Sequence, residues 1–304
     1  MTDEFGRGFS QTNLKMMRRF YLTYQKQIGQ TPSGLLPALR KSQTVSDFLQ
    51  KSVTVSRHLP GNERTASAPF NLSWSHYIFL MSVKNDAERQ FYEIESFNQN
   101  WSLRELKRQF NSGLYERLTL SRDKDGVKQL ATEGQIISRP EDLLKEPYIL
   151  EFLGLGEKAR YSESDLESAI IDKLEHFLLE LGKGFLFEAR QKRFTFDEEH
   201  FFVDLVFYNR LLRCFVLIDL KIGKLSHGDL GQMQMYVNYF DRCVKLEDEA
   251  PTVGIVLCKK KHDALVEITL PKGANIHARE YQLYLPDKEL LRRKLAEWGE
   301  EVAE

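Results

Sequence analysis

The spacing of hydrophobic and polar residues divides the chain into two regions of different character. Near the N-terminus, Leu14, Met17, Tyr21 and Tyr24 recur three or four positions apart, which is the period of one face of a helix. Ser10 stands just before them and can cap the first turn. The pattern therefore predicts an opening helix with one apolar face.

The rest of the first region also has the period of helices. Four prolines interrupt any long helix between Gln30 and Asn71, and helices are predicted from Leu72 onwards and over residues 86–98. After Trp101 a further helix is predicted, which begins with a capping box. The box is formed by Ser102 and Glu105, and the buried face by Leu103, Leu106 and Phe110. We therefore expect an all-helical domain over residues 1–120.

Beyond residue 120 the pattern changes twice. Turn-forming Asp, Gly and Pro residues mark 121–160 as a connector. From residue 161, a helix that ends at Gly182 precedes three strand-like runs, and helices and strands then alternate up to a C-terminal helix. The elements are expected at 165–181, 185–194, 201–208, 214–221, 230–240, 253–258, 263–266 and 281–285. This order predicts a second domain over 161–304, in which helices cover an αβββαβ sheet.

Composition narrows the class of protein. The chain has 304 residues, of which 42% are hydrophobic, so it can bury a core in each of two domains. The 43 basic and 44 acidic residues nearly cancel, although the first half is mildly basic. The 3 cysteines are widely spaced without a CxxC pair, which argues against a disulfide scaffold or structural zinc. No apolar run is long enough to span a membrane, and we expect a soluble, cytoplasmic protein.

Charged residues interrupt two of the predicted strands. Asp204 lies within the apolar run 201–208, and Asp219 and Lys221 lie within the run 214–221. A charge in an apolar strand is costly unless it is paired or bound to a metal, and Mg²⁺ prefers carboxylate oxygens. Asp219 and Lys221 are two positions apart, so both side chains point to one face of a strand. The pattern predicts either a site for Mg²⁺ (or Mn²⁺) or merely a buried Asp–Lys ion pair.

A glutamine and a tyrosine follow on the next predicted helix. Gln232 and Tyr236 are four positions apart and therefore lie on one helix face. Such a pair can hydrogen-bond a phosphodiester or a metal-bound water. The alternative is that Tyr236 belongs to the core and that Gln232 is simply exposed.

These residues together resemble a known family. Asp204, Asp219-Leu-Lys221 and Gln232-x-x-x-Tyr236, in αβββαβ order, resemble the PD-(D/E)XK nuclease superfamily and the QxxxY motif of its RecB-like branch. The chain resembles in particular the YhcG-type PDDEXK nuclease-domain proteins. The segments that carry this resemblance are 164–167, 177–185, 204–208, 231–233 and 254–258, and those similar to the family's N-terminal helical domain are 8–14, 72–77 and 101–106. The resemblance covers nearly the whole chain.

The resemblance implies a restriction-endonuclease-like domain behind a helical domain. It also implies a deoxyribonuclease that uses Mg²⁺ to hydrolyse DNA and leaves 5′-phosphate and 3′-hydroxyl ends. Asp204, Asp219 and the backbone carbonyl of Leu220 would hold the metal, and Lys221 would position the attacking water. Gln232 and Tyr236 would order the site.

The superfamily often adds an acid from the first core helix. Glu167 is our first candidate for this acid and Glu175 the second. Glu167 also stands three residues after Ser164, which is the spacing of a capping box. A structural role at the helix start would explain Glu167 without any metal, so both interpretations of this residue stay open.

Three departures from the family pattern affect the expectation. Val203 stands where a proline often precedes the first Asp, and this change is common in the branch. Asp219 replaces the usual Glu, and its side chain, shorter by one methylene, would shift the metal. Relatives usually carry an additional stretch before the segment that begins at Gly8, which leaves open whether the helical domain is complete.

The function of the helical domain has two interpretations. Its basic residues could contact the DNA backbone, or the domain could join copies of the chain into a homo-oligomer. Other classes of protein also fit: a nucleic-acid-binding module with an idle nuclease site, or an interaction protein that recruits a partner through its helices. The basic residues expected to touch DNA are Arg18, Arg19, Arg104, Lys107 and Arg108.

Overall fold

The computed structural model describes residues 10–29, 70–120, 124–156, 161–271 and 273–301. Residues 30–69 of the proline-interrupted stretch, the segment around Gly8 and Asp123 of the expected connector lie outside this set. The chain forms two compact units, which are treated separately below. One consists of Met1–Arg108 with Ala131–Gly134, and the other of Gln109–Leu130 with Gln135–Glu304.

The described part of the first unit is helical, as the sequence predicts. Helix α1 spans Gln11–Gly29, α2 Trp74–Leu80, α3 Asp86–Asn98 and α4 Leu103–Asn111, whose last residues belong to the second unit. Both expected N-caps form: Ser10 Oγ accepts from Asn13 N at 3.3 Å, and Ser102 Oγ accepts from Glu105 N at 3.2 Å.

One residue of the opening helix faces away from the expected side. Tyr21, placed by its spacing on the apolar face, is 51% exposed. Phe20 takes that position instead, with its ring 4.9 Å from Tyr24 and 5.3 Å from Tyr77 between ring centroids. Phe20 lies four positions before Tyr24, and Tyr21 lies three positions before it. Because a helix turns once every 3.6 residues, either spacing can place a residue on the face of Tyr24.

The second unit is a sheet with helices on both faces. Helices α5 (Leu114–Leu120) and α6 (Lys124–Glu133, whose last residues lie in the first unit) precede two short 3₁₀ turns, Pro140–Leu143 and Glu151–Leu153. The later helices are α7 (Glu163–Asp172), α8 (Leu174–Leu181), α9 (His227–Tyr239, continued by a π turn over Phe240–Val244), α10 (Asp263–Thr269) and α11 (Lys288–Glu301). The strands are β1 (Tyr148–Ile149), β2 (Phe185–Phe196), β3 (Glu199–Asn209), β4 (Cys214–Lys224), β5 (Val253–Lys260) and β6 (Ile276–Gln282).

The six strands lie in the order β1-β6-β5-β4-β3-β2. Strands β1, β6, β5 and β4 are parallel to their neighbours, whereas β3 and β2 pair antiparallel. Leu166 of α7 and Phe177 of α8 pack on one face with Ile218, and Met233 and Tyr236 of α9 pack on the other. The buried β3–β4–β5 centre, with helices on both sides, confirms the predicted αβββαβ architecture.

Three details differ from the sequence prediction. The expected connector at 121–160 contains helix α6 and strand β1, because Tyr148 and Ile149 are fully buried against β6. The helix predicted over 165–181 is interrupted at Lys173, whose φ of −119° is not helical. The last strand runs over Ile276–Gln282 rather than 281–285. None of the helices in the described ranges is both long and apolar enough to cross a membrane.

Candidate active site

The end of the β3–β4 pairing brings two carboxylates together. Leu205 lies opposite Ile218 in the last residue pair of this antiparallel ladder. Asp204 precedes that pair, and its Oδ2 accepts a hydrogen bond from the backbone N–H of Leu220 at 2.8 Å. This bond fixes the Asp204 carboxylate beside β4, next to Asp219.

Asp219 is a buried acid with an adjacent cation. It is 2% exposed, and Lys221 Nζ lies 2.9 Å from its Oδ2. The same ammonium is 3.7 Å from Oε2 of Glu163, the first residue of α7. Burial and then the charge of Asp204 raise the pKa of Asp219 to about 7, although Lys221 acts in the opposite direction. The acid is therefore poised to gain or lose a proton near neutral pH.

Lys221 keeps its proton. Burial lowers the pKa of Lys221, but the carboxylates of Asp219, Glu163 and Asp204 together outweigh burial and raise it. An ammonium with a raised pKa is a permanent positive charge at neutral pH. It can orient a water or stabilise a developing anion, but it cannot serve as a general base.

The oxygens of the carboxylate pair are not all satisfied by directed hydrogen bonds. Oδ2 of Asp219 is buried and lies 2.9 Å from the Lys221 ammonium, but no described residue donates a well-directed hydrogen bond to it. An oxygen in this state suits a cation. No group of three or more His, Cys, Asp or Glu ligands occurs among the residues that the structure describes. Two adjacent carboxylates nevertheless supply hard oxygen donors of the kind that a divalent cation such as Mg²⁺ accepts, so Asp204 and Asp219 are the residues that could hold one.

Glu167 joins this site through a second side chain. It lies on α7, is 4% exposed, and accepts hydrogen bonds from Gln191 Nε2 at 2.7 Å and from Arg190 Nε. Gln191 Nε2 also donates to Asp204 Oδ1 at 3.0 Å. The alternative of a Glu167 capping box is wrong, because Ser162 caps α7 with Asp165 instead.

Glu175, the second candidate for the helix acid, lies on α8 and is exposed. Glu167, unlike Glu175, is tied to Asp204 by a shared donor. The geometry therefore favours Glu167 as the third acid.

Sequence reasoning missed Gln191. Its φ is +47°, in the left-handed region that residues other than Gly, Asn and Asp rarely occupy. Regular pairs flank it, Arg190 opposite Leu205 and Lys192 opposite Val203, so the ladder keeps its register across this residue. The only signal in the sequence is four consecutive polar residues, 190–193, inside an otherwise amphipathic strand. Backbone strain of this kind is typical of functional sites.

The glutamine and tyrosine of α9 contact each other. Tyr236 is 1% exposed, and Gln232 Nε2 donates to its hydroxyl. Burial raises the pKa of Tyr236 and the nearby charges of Asp219 and Asp204 add to the effect, whereas Gln232 lowers it. The expectation that Tyr236 is a core residue is correct, since it packs edge-on against Phe194 at 5.6 Å between centroids. Its hydroxyl is nevertheless near enough to Asp219 and Asp204 for their charges to act on it.

The basic residues of the helical unit differ in availability. Arg18, Arg104 and Lys107 are exposed. Arg19 is exposed as well, but its guanidinium donates to the carbonyl of Met81 at 2.6 Å. Arg108 is only partly exposed and lies 3.6 Å from the carboxylate of Glu105. These last two are held by their neighbours, so they are less suited to bind phosphates than the sequence suggests.

Comparisons with known proteins identify the family. The model of the YhcG PDDEXK nuclease domain matches residues 141–296, which include every residue of the candidate active site. The chain belongs to this family. The model of the DUF1016 N-terminal domain matches residues 1–117. Both matches confirm the resemblance predicted from the sequence, and with it the nuclease-type fold.

A relative and two solved structures are similar to the chain. "Putative nuclease YhcG" from Escherichia coli (strain K12) is 41% identical over 294 residues, which are 96% of this chain and 76% of the relative. A repair endonuclease from Pyrococcus abyssi is 16% identical over 43% of this chain and 50% of its own, with a TM-score of 0.28. An EndoMS–dsDNA complex is 15% identical over 44% and 50%, with a TM-score of 0.29. This chain thus spans about half the length of both solved structures, and the family assignment rests on the two models and the bacterial relative.

Proposed function

We propose that the protein is a metal-dependent deoxyribonuclease that hydrolyses phosphodiester bonds of DNA at the Asp204–Asp219–Lys221 site. The main support is Asp219, a buried acid beside a second acid, with one oxygen that lacks a good hydrogen bond. Two carboxylates in such proximity repel each other when both are ionised. A divalent cation would remove that repulsion, which a purely structural ion pair would not need.

Each residue has a distinct role in this proposal. Asp204 and Asp219 would hold Mg²⁺ or Mn²⁺, and the metal would polarise the phosphate and lower the pKa of a bound water. The carbonyl of Leu220 would be a third ligand. Its N–H already points to Asp204, and the N–H and C=O of one strand residue face the same neighbouring strand.

The remaining residues would orient the reactants. Lys221, protonated and on the face of Asp219, would hold the attacking water and stabilise the charge that develops on the phosphate. Glu167 and Gln191 would fix the orientation of Asp204. Gln232 and Tyr236 would border the site from α9. In the helical domain, Arg18, Arg104 and Lys107 stay candidates for DNA contacts, and homo-oligomerisation through this domain stays a prediction.

A cleavage assay with Lys221→Ala tests the proposal. Wild type and variant would be incubated with labelled single-stranded, duplex and branched DNA, and with RNA, in Mg²⁺, Mn²⁺ or a chelator. We expect metal-dependent cleavage of DNA by the wild type and a loss of roughly 10²–10³ in rate in the variant. Lys221→Arg should not restore the rate, because the guanidinium is bulkier and presents a planar fork.

Lys173→Ala is the matched control, since Lys173 is exposed at the junction of α7 and α8. It should cleave like the wild type. Full activity of a correctly folded Lys221→Ala variant would refute the assigned site. Wild-type protein that binds DNA but never cleaves it would instead be a binding module, and protein that does neither would be an interaction protein.

A further inference from the structure

A bulge in β4 keeps a second lysine on the face of the active site. Lys221 lies opposite Cys258, and Lys224 lies opposite Lys260, so β4 has one residue more than β5 between these pairs. Cys258 and Lys260 are two positions apart and therefore point to the same face of the sheet. Residues paired across strands share a face as well. Lys224 and Lys260 thus lie on the same face as Lys221, at the ends of the paired strands.

The main chain at these two lysines is held by the strand pairing, whereas their ammonium groups are exposed. Each is exposed, and neither forms an ion pair with a residue that the structure describes. The N–H of Leu225 donates to the carbonyl of Lys260 at 3.0 Å, and the side chain of Leu225 is 4% exposed. The buried leucine therefore anchors the end of β4 to the end of β5, and the two ammonium groups project from a rigid edge.

A carboxylate close by along the chain is already engaged. Asp229, in the first turn of α9, accepts hydrogen bonds from Ser226 N and Ser226 Oγ, both at 2.8 Å. It completes the capping box that Ser226 forms at the start of α9. Neither lysine forms an ion pair with this or any other described acid, so the two lysines form a small positive surface.

We propose that Lys224 and Lys260 together bind backbone phosphates of DNA next to the bond that is cleaved; this rests on the proposed nuclease function. Lys260 lies two strand residues beyond the partner of Lys221, a distance of about 7 Å along the sheet. Lysines at such a distance from a catalytic ammonium would hold the strand on one side of the scissile phosphate. Contacts of this kind supply affinity and position without reading the sequence.

The neighbouring residue Lys259 is a built-in control. It is exposed and adjacent in the chain to Lys260, but strand alternation points it to the opposite face, where its ammonium lies 4.6 Å from the ring centre of Tyr161. Loss of its charge changes the net charge as much as loss of Lys260 does. Any difference between the two substitutions therefore reports on the face, not on the charge of the protein.

The test measures how DNA affinity depends on salt. Fluorescein-labelled duplex DNA would be titrated by anisotropy in a chelator, so that no cleavage occurs, across a series of KCl concentrations. Each lost phosphate contact lowers the slope of log K against log[salt] by about 0.9 for duplex DNA. We expect a reduction of about 0.9 for Lys224→Gln or Lys260→Gln, about 1.8 for the double variant, and none for Lys259→Gln.

The outcomes separate this inference from the proposed function. If the double variant keeps the wild-type slope while the wild type cleaves DNA, the lysine pair is refuted and the nuclease function stands. If Lys259→Gln lowers the slope as much as Lys260→Gln, binding follows overall charge and the pair is refuted too. If the wild type neither binds nor cleaves DNA, the proposed function is wrong, and the inference about the lysine pair fails with it.

Discussion

Among the charged groups of the second unit, two clusters are built in opposite ways. In the first, the side chains of Arg117 and Glu180 are both fully buried, and Arg117 Nη1 lies 2.5 Å from Glu180 Oε1. Arg117 also donates to the carbonyls of Ser112 and Pro147 at 3.0 and 2.9 Å, and Glu180 also accepts from Ile149 N at 3.0 Å. Opposite charges and backbone groups satisfy one another. This cluster joins α5 to β1 and α8.

The second cluster is the candidate active site. Here two like charges, Asp204 and Asp219, lie side by side with one lysine, and Oδ2 of Asp219 lacks a good hydrogen bond. The pKa of Asp219 is raised to about 7, chiefly by burial. The contrast shows that burial alone does not mark a functional charge. A charged cluster whose groups satisfy one another is typical of structural support, whereas like charges held together with a shifted pKa are typical of a functional site.

The largest expected change in the free energy of unfolding follows a substitution in the Arg117–Glu180 cluster. Arg117→Met should lower the free energy of unfolding by about 3–5 kcal/mol, because it leaves the Glu180 carboxylate buried without its cation. Urea unfolding followed by circular dichroism measures this. The double variant Arg117→Met/Glu180→Met should recover much of the loss, since no unpaired charge is left. A loss below about 1 kcal/mol for the single variant would show that the pair is not a structural support.

A substitution in the active-site cluster should raise the free energy of unfolding, not lower it. Asp219→Asn should stabilise the metal-free protein by about 1–3 kcal/mol above pH 7. The folded-state pKa is raised above the ordinary 3.8, so the unfolded chain releases this proton first as the pH rises. The wild type therefore loses stability relative to the variant between about pH 4 and pH 7, and the difference is constant above that range. Thermal unfolding in a chelator at several pH values measures it.

The same pair of proteins gives a control with metal. Mg²⁺ or Mn²⁺ should raise the Tm of the wild type above pH 7 and leave that of Asp219→Asn nearly unchanged, because only an ionised pair binds the cation well. A difference in stability that does not change with pH would mean that Asp219 is permanently ionised. The contrast between the two clusters would then be lost.

The smallest expected effect is a change in metal affinity on substitution of Gln191. Gln191→Gly removes the donor shared by Glu167 and Asp204 and also relieves the backbone strain at φ +47°. We expect metal affinity to fall about tenfold while the free energy of unfolding stays equal or rises. Manganese binding followed by electron paramagnetic resonance measures the affinity.

Asp197→Gly is the matched control for Gln191→Gly. Asp197 has a φ of +49° in the turn between β2 and β3, so this variant also places Gly at a left-handed position of the hairpin, away from the site. It should leave metal affinity unchanged. An equal loss of affinity in both variants would assign the effect to the β2–β3 hairpin as a whole.

The central strands and their acids could be predicted because a strand that is buried on both faces needs an almost wholly apolar sequence. Runs such as 214–220 and 253–258 are almost wholly apolar, and only an element covered on both faces has that composition. Asp204 and Asp219 stand out against this background. Gln232 and Tyr236 could be found because helix periodicity fixes which residues share a face.

The parts that could not be predicted depend on contacts distant in sequence. Strand β1 has only two residues, and nothing local distinguishes them from a loop until β6 pairs with them. In β6, His277, Arg279 and Glu280 weaken the apolar signal, so the expected strand was displaced towards 281–285. The role of Gln191 depends on a left-handed backbone and on two acids, 24 and 13 positions away, that meet only after folding.

The Arg117–Glu180 pair also bears on how this chain could exchange segments with a relative. The N-terminal family model ends at residue 117 and the nuclease model begins at 141, as if two modules were joined in tandem. Arg117, however, is the buried counterion of a nuclease-domain glutamate. A recombination event at that boundary would transplant a nuclease domain without its arginine. Viable chimaeras should therefore cross over before α5, or else inherit both partners together.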